Sequence, residues 1–214
     1  MDGVMSEPHQ DRSSENVIRL DRARAARRGP EAGPGLSALR QAEGYWTALC
    51  RDGEIPRRSR IDPRGIQNIL GQACILERIA PGLARFRLAG HDLTDRAGMD
   101  LRGMPLSCLF TPAARQPLAE ALEHLFAAPA VVELSLRGER RLLHRAPGAR
   151  LLLLPLRGDA GDVTRALGVL VCDPEPPARG PHRFDLADIA LRPVRARPRA
   201  RRERGALPAL SLVT

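Results

Sequence analysis

The sequence predicts an α+β fold, namely a single domain with a five-stranded antiparallel sheet, helices packed on one face of that sheet, and disordered tails. Three features of the sequence support this prediction. Apolar residues recur at helical spacing near the N-terminus and again around residue 120. Other segments alternate apolar and polar residues, or are short and continuously apolar, as strands are. Tight glycine- and proline-containing turns separate these segments, and strands joined by tight turns pair antiparallel. Two strands, a helical middle and three further strands therefore fit one sheet.

Composition sets the limits of the predicted domain. Residues 1–35 are polar and charged and end in a glycine- and proline-rich run, which predicts a disordered N-terminal extension. Residues 36–176 carry the elements of the domain. Residues 177–214 form an Arg/Pro-rich tail that is predicted to be mostly disordered. This tail holds nine arginines and three acidic residues, so it accounts for most of the net charge of +9.

The same composition excludes several classes of protein. The N-terminus has no apolar core of a signal peptide, and no apolar run approaches the roughly 18 residues of a membrane span. The four cysteines are far apart and include no Cys-x-x-Cys pair, which is typical of reduced thiols rather than of a disulfide framework or a zinc site. We therefore expect a cytoplasmic protein without a membrane span.

The first predicted helix covers residues 37–51 and carries the only tyrosine and the only tryptophan of the chain, Tyr45 and Trp46. Adjacent residues lie about 100° apart on a helix, so the two rings point in different directions. They either anchor the helix to the sheet or form a docking patch for a partner.

A basic segment follows this helix and leads to a second helix start. Arg57, Arg58 and Arg60 could clamp a phosphate or a carboxylate, or they could form a solvated surface. Asp62 as N-cap and Pro63 at the first helical position then begin a short amphipathic helix that ends at Gly71.

The middle of the chain begins with a predicted hairpin of strands 74–79 and 85–88. Its second strand places Phe86 and Leu88 toward a core and Arg85 and Arg87 toward solvent. A short helix follows Gly90 and ends at Gly98, and Gly103 marks a further turn.

A longer helix is predicted from Thr111-Pro112 to about residue 128, with a kink or break at Pro117. Strands are predicted at 131–137, 149–156 and 166–173, and residues 139–145 could extend one of them. The 151–154 run is apolar on both sides, as in a strand buried on both faces. Residues 184–189 are predicted to form a helical turn.

This order of elements resembles that of a PAS domain. More narrowly, it is similar to an alphaproteobacterial group of single-PAS proteins, over about residues 36–175. The resemblance rests on an ordered set of short motifs: Tyr45-Trp46, Pro56 with Arg58, Asp62-Pro63, Leu76-Glu77, the strand-to-glycine step at Gly90, Gly98, Leu101-x-Gly103 and Leu154-Pro155-Leu156. It implies a sensory and regulatory module rather than an enzyme.

The sequence offers no pattern for a metal or a cofactor, and we predict none. The five histidines are scattered without metal-ligand spacing. His124 lies on the longer helix, where haem-binding PAS domains would place an axial ligand, but an ordinary boundary histidine is the alternative. Cys108 lies outside the reactive-cysteine motif of flavin-binding photosensory PAS domains. No phosphate-binding loop or hydrolase motif is present in the sequence.

Two functional hypotheses follow. The first is a cytoplasmic bacterial PAS-type sensory or regulatory module that acts by protein–protein interaction, can be tuned by a small ligand, and could form a homodimer through its N-terminal helix. The alternative is a nucleic-acid-associated protein that uses the Arg-rich C-terminal tail. In the first hypothesis this tail makes at most a weak, nonspecific contact with a polyanion.

Overall fold

The sheet is antiparallel throughout and has seven strands within the part of the chain that the computed structural model describes, residues 18–19, 34–138, 148–172 and 183–194. The strands are β1 (Ile18–Arg19), β2 (Ala73–Ala80), β3 (Leu83–Ala89), β4 (Ala130–Gly138), β5 (Gly148–Arg157), β6 (Val163–Cys172) and β7 (Phe184–Pro193). Their spatial order is β1-β7-β4-β5-β6-β2-β3, which makes β5 the central strand.

Among the described residues, three α-helices accompany the sheet: α1 (Pro34–Leu49), α2 (His91–Ala97) and α3 (Arg115–Phe126). Short 3-10 segments connect them at Arg51–Gly53, Arg58–Arg60, Pro63–Gln72, Leu106–Leu109 and Pro112–Ala114. None of the helices in the described residues is long and apolar enough to cross a membrane.

Apolar side chains fill both faces of the sheet because successive residues of a strand point to opposite sides. In β5, Leu151 and Leu153 belong to the core under α2 and α3, which we call the inner face. Leu152, Leu154 and Leu156 belong to a second core under α1, which we call the outer face. The prediction that residues 151–154 are buried on both faces is confirmed.

The predicted α+β class with an antiparallel sheet is confirmed, but three of its details are wrong. The described residues form seven strands instead of the predicted five, because β1 and β7 extend the sheet beyond the predicted strands. The helices do not all pack on one face, since Ala38, Leu39 and Trp46 of α1 are buried in the outer core. Residues 184–189 do not form a helical turn either. They belong to β7, which pairs with β4 from Phe184 to Pro193, so the sheet continues into the segment predicted as a tail.

A register shift explains why β7 looked helical. The pairing with β4 slips between Ser135 and Leu136, which leaves Ala187 as the extra residue of a β-bulge. The inward-facing residues Phe184, Leu186, Ile189 and Leu191 are consequently spaced by two, three and two positions, instead of strictly by two.

The same effect corrects the prediction for Leu88. Phe86 is fully buried as expected, but Leu88 is 51% exposed. The β2–β3 register shifts between Ile75 and Leu76, so Arg87 is extra and Leu88 pairs with Ile75 on the outer face. The outer face around Leu88 is therefore exposed to solvent and is not covered by α1.

Several local predictions are confirmed. The Asp62 carboxylate accepts a hydrogen bond from the Arg64 backbone N–H at 2.9 Å, although the segment that it caps is a 3-10 helix. Gly98 ends α2 in the left-handed conformation, with φ of 66°. The break predicted at Pro117 does not occur: the 3-10 turn Pro112–Ala114 runs directly into α3, and the backbone is helical at both Ala114 and Arg115. Pro117 lies in the first turn of α3, where a backbone N–H has no partner within the helix. Residues 139–145 and the tails at 1–17 and 195–214 lie outside the described residues.

Candidate functional site

The attachment of α1 to the outer face is the first feature of the candidate site. Trp46 is 6% exposed, and its indole Nε1–H donates a hydrogen bond of 2.8 Å to the carbonyl oxygen of Pro155 in β5. Ala38, Leu39 and Ala42 are buried beside it. The indole therefore fixes α1 to the centre of the sheet.

Tyr45 holds the same helix from a second direction. Its hydroxyl accepts a hydrogen bond from the Asp62 backbone N–H at 2.7 Å and donates one to the Asp62 carbonyl at 3.1 Å. Its ring packs so closely over Gly65 that a Cβ there would lie 2.2 Å from Tyr45 Cε2. These contacts support the anchoring interpretation of Tyr45 and Trp46, and they join α1 to the Pro63–Gln72 segment.

Pro56 and Arg58 lie in the connection that leads from α1 back to the sheet. The carbonyl oxygen of Pro56 accepts a hydrogen bond of 2.9 Å from the Arg157 backbone N–H, so this connection pairs with the last residue of β5. Arg57 Nη1 donates to the Asp159 carbonyl, and Arg60 Nη1 donates to the Leu49 carbonyl. Two of the three arginines of the predicted clamp thus bind separate backbone carbonyls.

The glycines of the motif set are brought to a different part of the molecule. The Gly90 N–H donates to the Ala73 carbonyl at 2.8 Å, and a Cβ at Gly90 would lie 2.2 Å from the carbonyl oxygens of Leu70 and Gly71. The Gly103 N–H donates to the Phe86 carbonyl at 2.8 Å, which covers part of the edge of β3. The structure therefore brings Tyr45, Trp46, Asp62 and Pro63 together, whereas Gly90, Gly98 and Gly103 shape the surroundings of α2.

A small apolar cavity lies on the inner face. Its volume is about 10 Å³, close to the minimum for one water molecule. It is lined by Cys74, Phe86, Leu93, Leu106, Leu109, Phe110, Leu136, Leu151, Leu170 and Phe184. His124 and Cys108 are not among the lining residues. Burial raises the pKa of the Cys74 thiol to about 12, so this thiol stays protonated at neutral pH.

The cavity and the seat of α1 share two strands. The cross-strand pair Leu151–Leu170 lines the cavity on the inner face. The next pair of the same ladder, Leu152–Val169, lies in the core under α1 on the outer face. The two pairs are therefore adjacent rungs, one residue apart along both strands.

A second, more polar pocket opens beside the first. Its volume is about 50 Å³, and Leu93 and Leu170 line both pockets. Its other walls come from Gln72, Asp92, Arg96, Val171 and Cys172. The side-chain oxygen Oε1 of Gln72 is buried there and lacks a hydrogen-bond partner among the described residues.

Sequence reasoning missed a charged cluster on the open part of the outer face. The Glu77 side chain is 12% exposed and contacts three arginines: Arg85 and Arg165 at 2.8 Å and Arg87 at 3.0 Å. We call Glu77, Arg85, Arg87 and Arg165 the arginine cluster. Burial raises the pKa of Glu77, but the hydrogen bond from Arg85 and the charges of the three guanidinium groups outweigh it, so the pKa lies below its usual value. The alternation of Arg85 and Arg87 hinted at this cluster, but Arg165 joins through the β2–β6 pairing, which no local pattern reveals.

Within the described residues, no group of three or more His, Cys, Asp or Glu side chains is placed to hold a metal ion. The site thus consists of a helix fixed to the outer face of the sheet, a small apolar cavity on the inner face, and an arginine cluster on the open part of the outer face.

These features define an α+β domain in which an antiparallel sheet separates a core cavity from a docked helix. The profile of the PAS domain family matches residues 36–171, and the chain belongs to this family. The resemblance to PAS domains inferred from the sequence is confirmed, whereas membership of the alphaproteobacterial group stays a prediction.

Three solved structures of Light-Oxygen-Voltage (LOV) proteins are similar to the chain. The light state structure of the blue-light photoreceptor Aureochrome1 LOV is 15% identical and has a TM-score of 0.36; the match covers 52% of this chain and 88% of that one. A LOV domain studied with a flavin analogue is 20% identical, with a TM-score of 0.35 and coverages of 52% and 84%. An RNA-binding LOV receptor is 20% identical, with a TM-score of 0.37; the match covers 56% of this chain and 36% of that one. No curated protein matches the chain.

Proposed function

We propose that this PAS domain is a cytoplasmic, non-enzymatic regulatory module that binds a protein partner, and that the packing of α1 on the outer face controls this binding. The observation that carries the proposal is the pair of adjacent ladder rungs. Leu151–Leu170 lines the inner cavity, and Leu152–Val169 supports α1. A small ligand on the inner side therefore has a direct mechanical route to the helix on the outer side.

The change that we propose is a shift between two packings of α1. Protein interiors are close-packed, so a group that enters a cavity of about 10 Å³ has to displace its lining. The displaced lining moves the neighbouring rung, and α1 then rests on an altered surface. A ligand shifts such an equilibrium only by the difference between its affinities for the two packings.

The open part of the outer face supports a protein as the partner. Three guanidinium groups share one carboxylate in the arginine cluster, which leaves a local net charge of +2 by count. Arg85 and Arg87 keep 38% and 52% of their side chains exposed. The exposed Leu88 adjoins them on β3, so this surface suits an acidic segment that also carries an apolar side chain.

The homodimer predicted through the N-terminal helix would use the outward side of α1, because the apolar side is occupied by the sheet. Arg40, Gly44, Thr47 and Ala48 are exposed there. This contact stays a prediction. No feature of the described residues favours the rival nucleic-acid hypothesis, and the basic tail beyond residue 194 lies outside them.

The experiment compares the partners recovered by wild-type protein, Trp46→Ala and Leu122→Ala from a lysate of the source cells. Leu122 is 2% exposed in α3 on the inner face, so its truncation lowers stability comparably without touching α1. Hydrogen exchange of the α1 amides verifies that only Trp46→Ala loosens this helix.

We expect Trp46→Ala to lose or change the recovered partner while Leu122→Ala keeps it. Recovery of the same partner in the same amount by a Trp46→Ala protein with a loosened α1 would refute the proposal.

A further inference from the structure

The polar pocket beside the inner cavity has an unusual feature, which is an unsatisfied polar group. Gln72 Oε1 is buried and accepts no hydrogen bond from the described residues. A buried acceptor without a donor is costly, so such groups are normally paired with protein, water or a ligand. Because this oxygen is fully buried, a ligand in the pocket that donates a hydrogen bond would reach it once the Gln72 side chain turns toward the pocket.

The surroundings of Gln72 narrow the chemistry of that group. Asp92 supplies a carboxylate and Arg96 a guanidinium to the same pocket. The Asp92 carboxylate already contacts His91, at 2.9 Å from Nε2 to Oδ1, whereas no described residue is a hydrogen-bond or ion-pair partner of Arg96. Two acceptors and one strong donor suit a head group that both donates and accepts, such as a primary carboxamide or a hydroxyl.

The wall shared with the inner cavity indicates what is attached to this head group. Leu93 of α2 and Leu170 of β6 separate the polar pocket from a cavity that is apolar throughout. A short apolar tail on the head group would meet these two side chains first. Leu170 is also the β6 member of the rung next to the one that supports α1.

We propose that Gln72 and Arg96 form the recognition site for a small amphipathic molecule with a neutral head group that donates and accepts hydrogen bonds. Its head group occupies the polar pocket of about 50 Å³, and its tail displaces Leu93 and Leu170 toward the inner cavity. This inference rests on the proposed function, since it names the class of ligand that moves the sheet under α1.

The test is a titration of ¹⁵N-labelled full-length protein with butanamide, followed by amide resonances and by the indole N–H of Trp46. This indole is unique, because the chain has one tryptophan. Butanoate has no donor at neutral pH, and butylammonium has no acceptor, so these two molecules test the head group. A ligand of about six non-hydrogen atoms should bind with a dissociation constant on the order of millimolar.

Two variants and one matched control locate the site. Gln72→Met removes the acceptor with little change in length, and Arg96→Met removes the donor. Gln67→Met makes the first change at an exposed position of the same 3-10 segment. We expect saturable shifts around Gln72, Arg96 and Leu170 with butanamide, and binding about tenfold weaker in Gln72→Met and Arg96→Met but unchanged in Gln67→Met.

The outcomes separate the site from the proposed function. No saturable shift up to about 100 mM butanamide, or equal binding by wild type and Gln72→Met, overturns the site, and the pocket then holds only water. Equal or stronger binding of butanoate or butylammonium overturns the head group. Saturation of the pocket without movement of the Trp46 indole resonance supports the site and overturns the coupling to α1.

Discussion

Trp46 offers the sharpest test of how α1 is held. Trp46→Phe keeps an aromatic ring in the outer core but removes the Nε1–H that donates to the buried Pro155 carbonyl at 2.8 Å. Removing one partner of a buried hydrogen bond costs about 1–3 kcal/mol, and a smaller ring adds the loss of some contacts, so we expect a loss of about 2 kcal/mol. Trp46→Ala also leaves a cavity, for which about 3–5 kcal/mol is typical.

Urea unfolding followed by far-ultraviolet circular dichroism measures these losses, since both variants lack the only fluorescent indole. In the wild type, emission from Trp46 should be blue-shifted, and it should move to longer wavelength in the same transition that the dichroism reports. A loss below about 0.5 kcal/mol in Trp46→Phe, within the range of ordinary surface substitutions, would refute the role of the hydrogen bond. Equal losses in Trp46→Phe and Trp46→Ala would refute the role of ring packing.

Three further predictions concern the framework of the site. Gly90→Ala should lower the free energy of unfolding by about 1–3 kcal/mol, because its methyl group would meet two backbone carbonyl oxygens of the Pro63–Gln72 segment at 2.2 Å. The control Gly44→Ala lies in open space on α1 and should instead raise the free energy of unfolding by about 0.5–1 kcal/mol. Equal effects of the two substitutions in thermal unfolding would contradict this reasoning. Glu77→Gln should cost about 1–3 kcal/mol at pH 7. The folded state lowers the pKa of Glu77 below its ordinary 4.5, so this contribution to stability is present above pH 4.5 and is lost as the pH falls through the folded pKa. In urea unfolding between pH 7 and pH 3, the free energy of unfolding of the wild type should therefore approach that of the variant. A difference that is constant with pH would argue against it. Cys74 has a pKa of about 12, so about one part in ten thousand of its thiol should be thiolate at pH 8. We expect this thiol to resist iodoacetamide in the folded protein and to react in urea. Rapid labelling of Cys74 in the folded protein, located by mass spectrometry, would contradict its burial.

The sequence predicted the elements whose causes are local. The Asp62 cap and the left-handed end of α2 at Gly98 each depend on residues within one helical turn. The errors at Leu88 and at residues 184–189 have a common cause of another kind. Both are β-bulges, and a bulge arises from the register with a neighbouring strand, so it shifts the alternation without leaving a local mark.

The placement of α1 could have been predicted from the sequence. A strand that is apolar at every position from Leu151 to Leu154 has to be covered on both faces. Among the described residues, α1 is the amphipathic helix that lies outside the middle of the chain. The position of Arg165 in the arginine cluster could not have been predicted in this way. Arg165 meets Glu77 through strand pairing, and the two residues are 88 positions apart in sequence. The pocket at Gln72 was likewise hidden, since it lies between segments that no motif connects.

The binding free energy of a small ligand limits how far that ligand alone can change the packing of α1. A ligand with a dissociation constant of about 1 mM contributes about 4 kcal/mol at a 1 M standard state, and at one hundred times that constant it shifts an equilibrium by about 2.7 kcal/mol at most. Moving α1 from 99% docked to 99% released needs about 5.5 kcal/mol, and Trp46 alone contributes about 3–5 kcal/mol to docking. On the proposed function, a ligand at Gln72 would therefore repack α1 but would not detach it. Full release requires the binding energy of a protein partner as well, and the arginine cluster beside α1 is where an acidic partner would supply it.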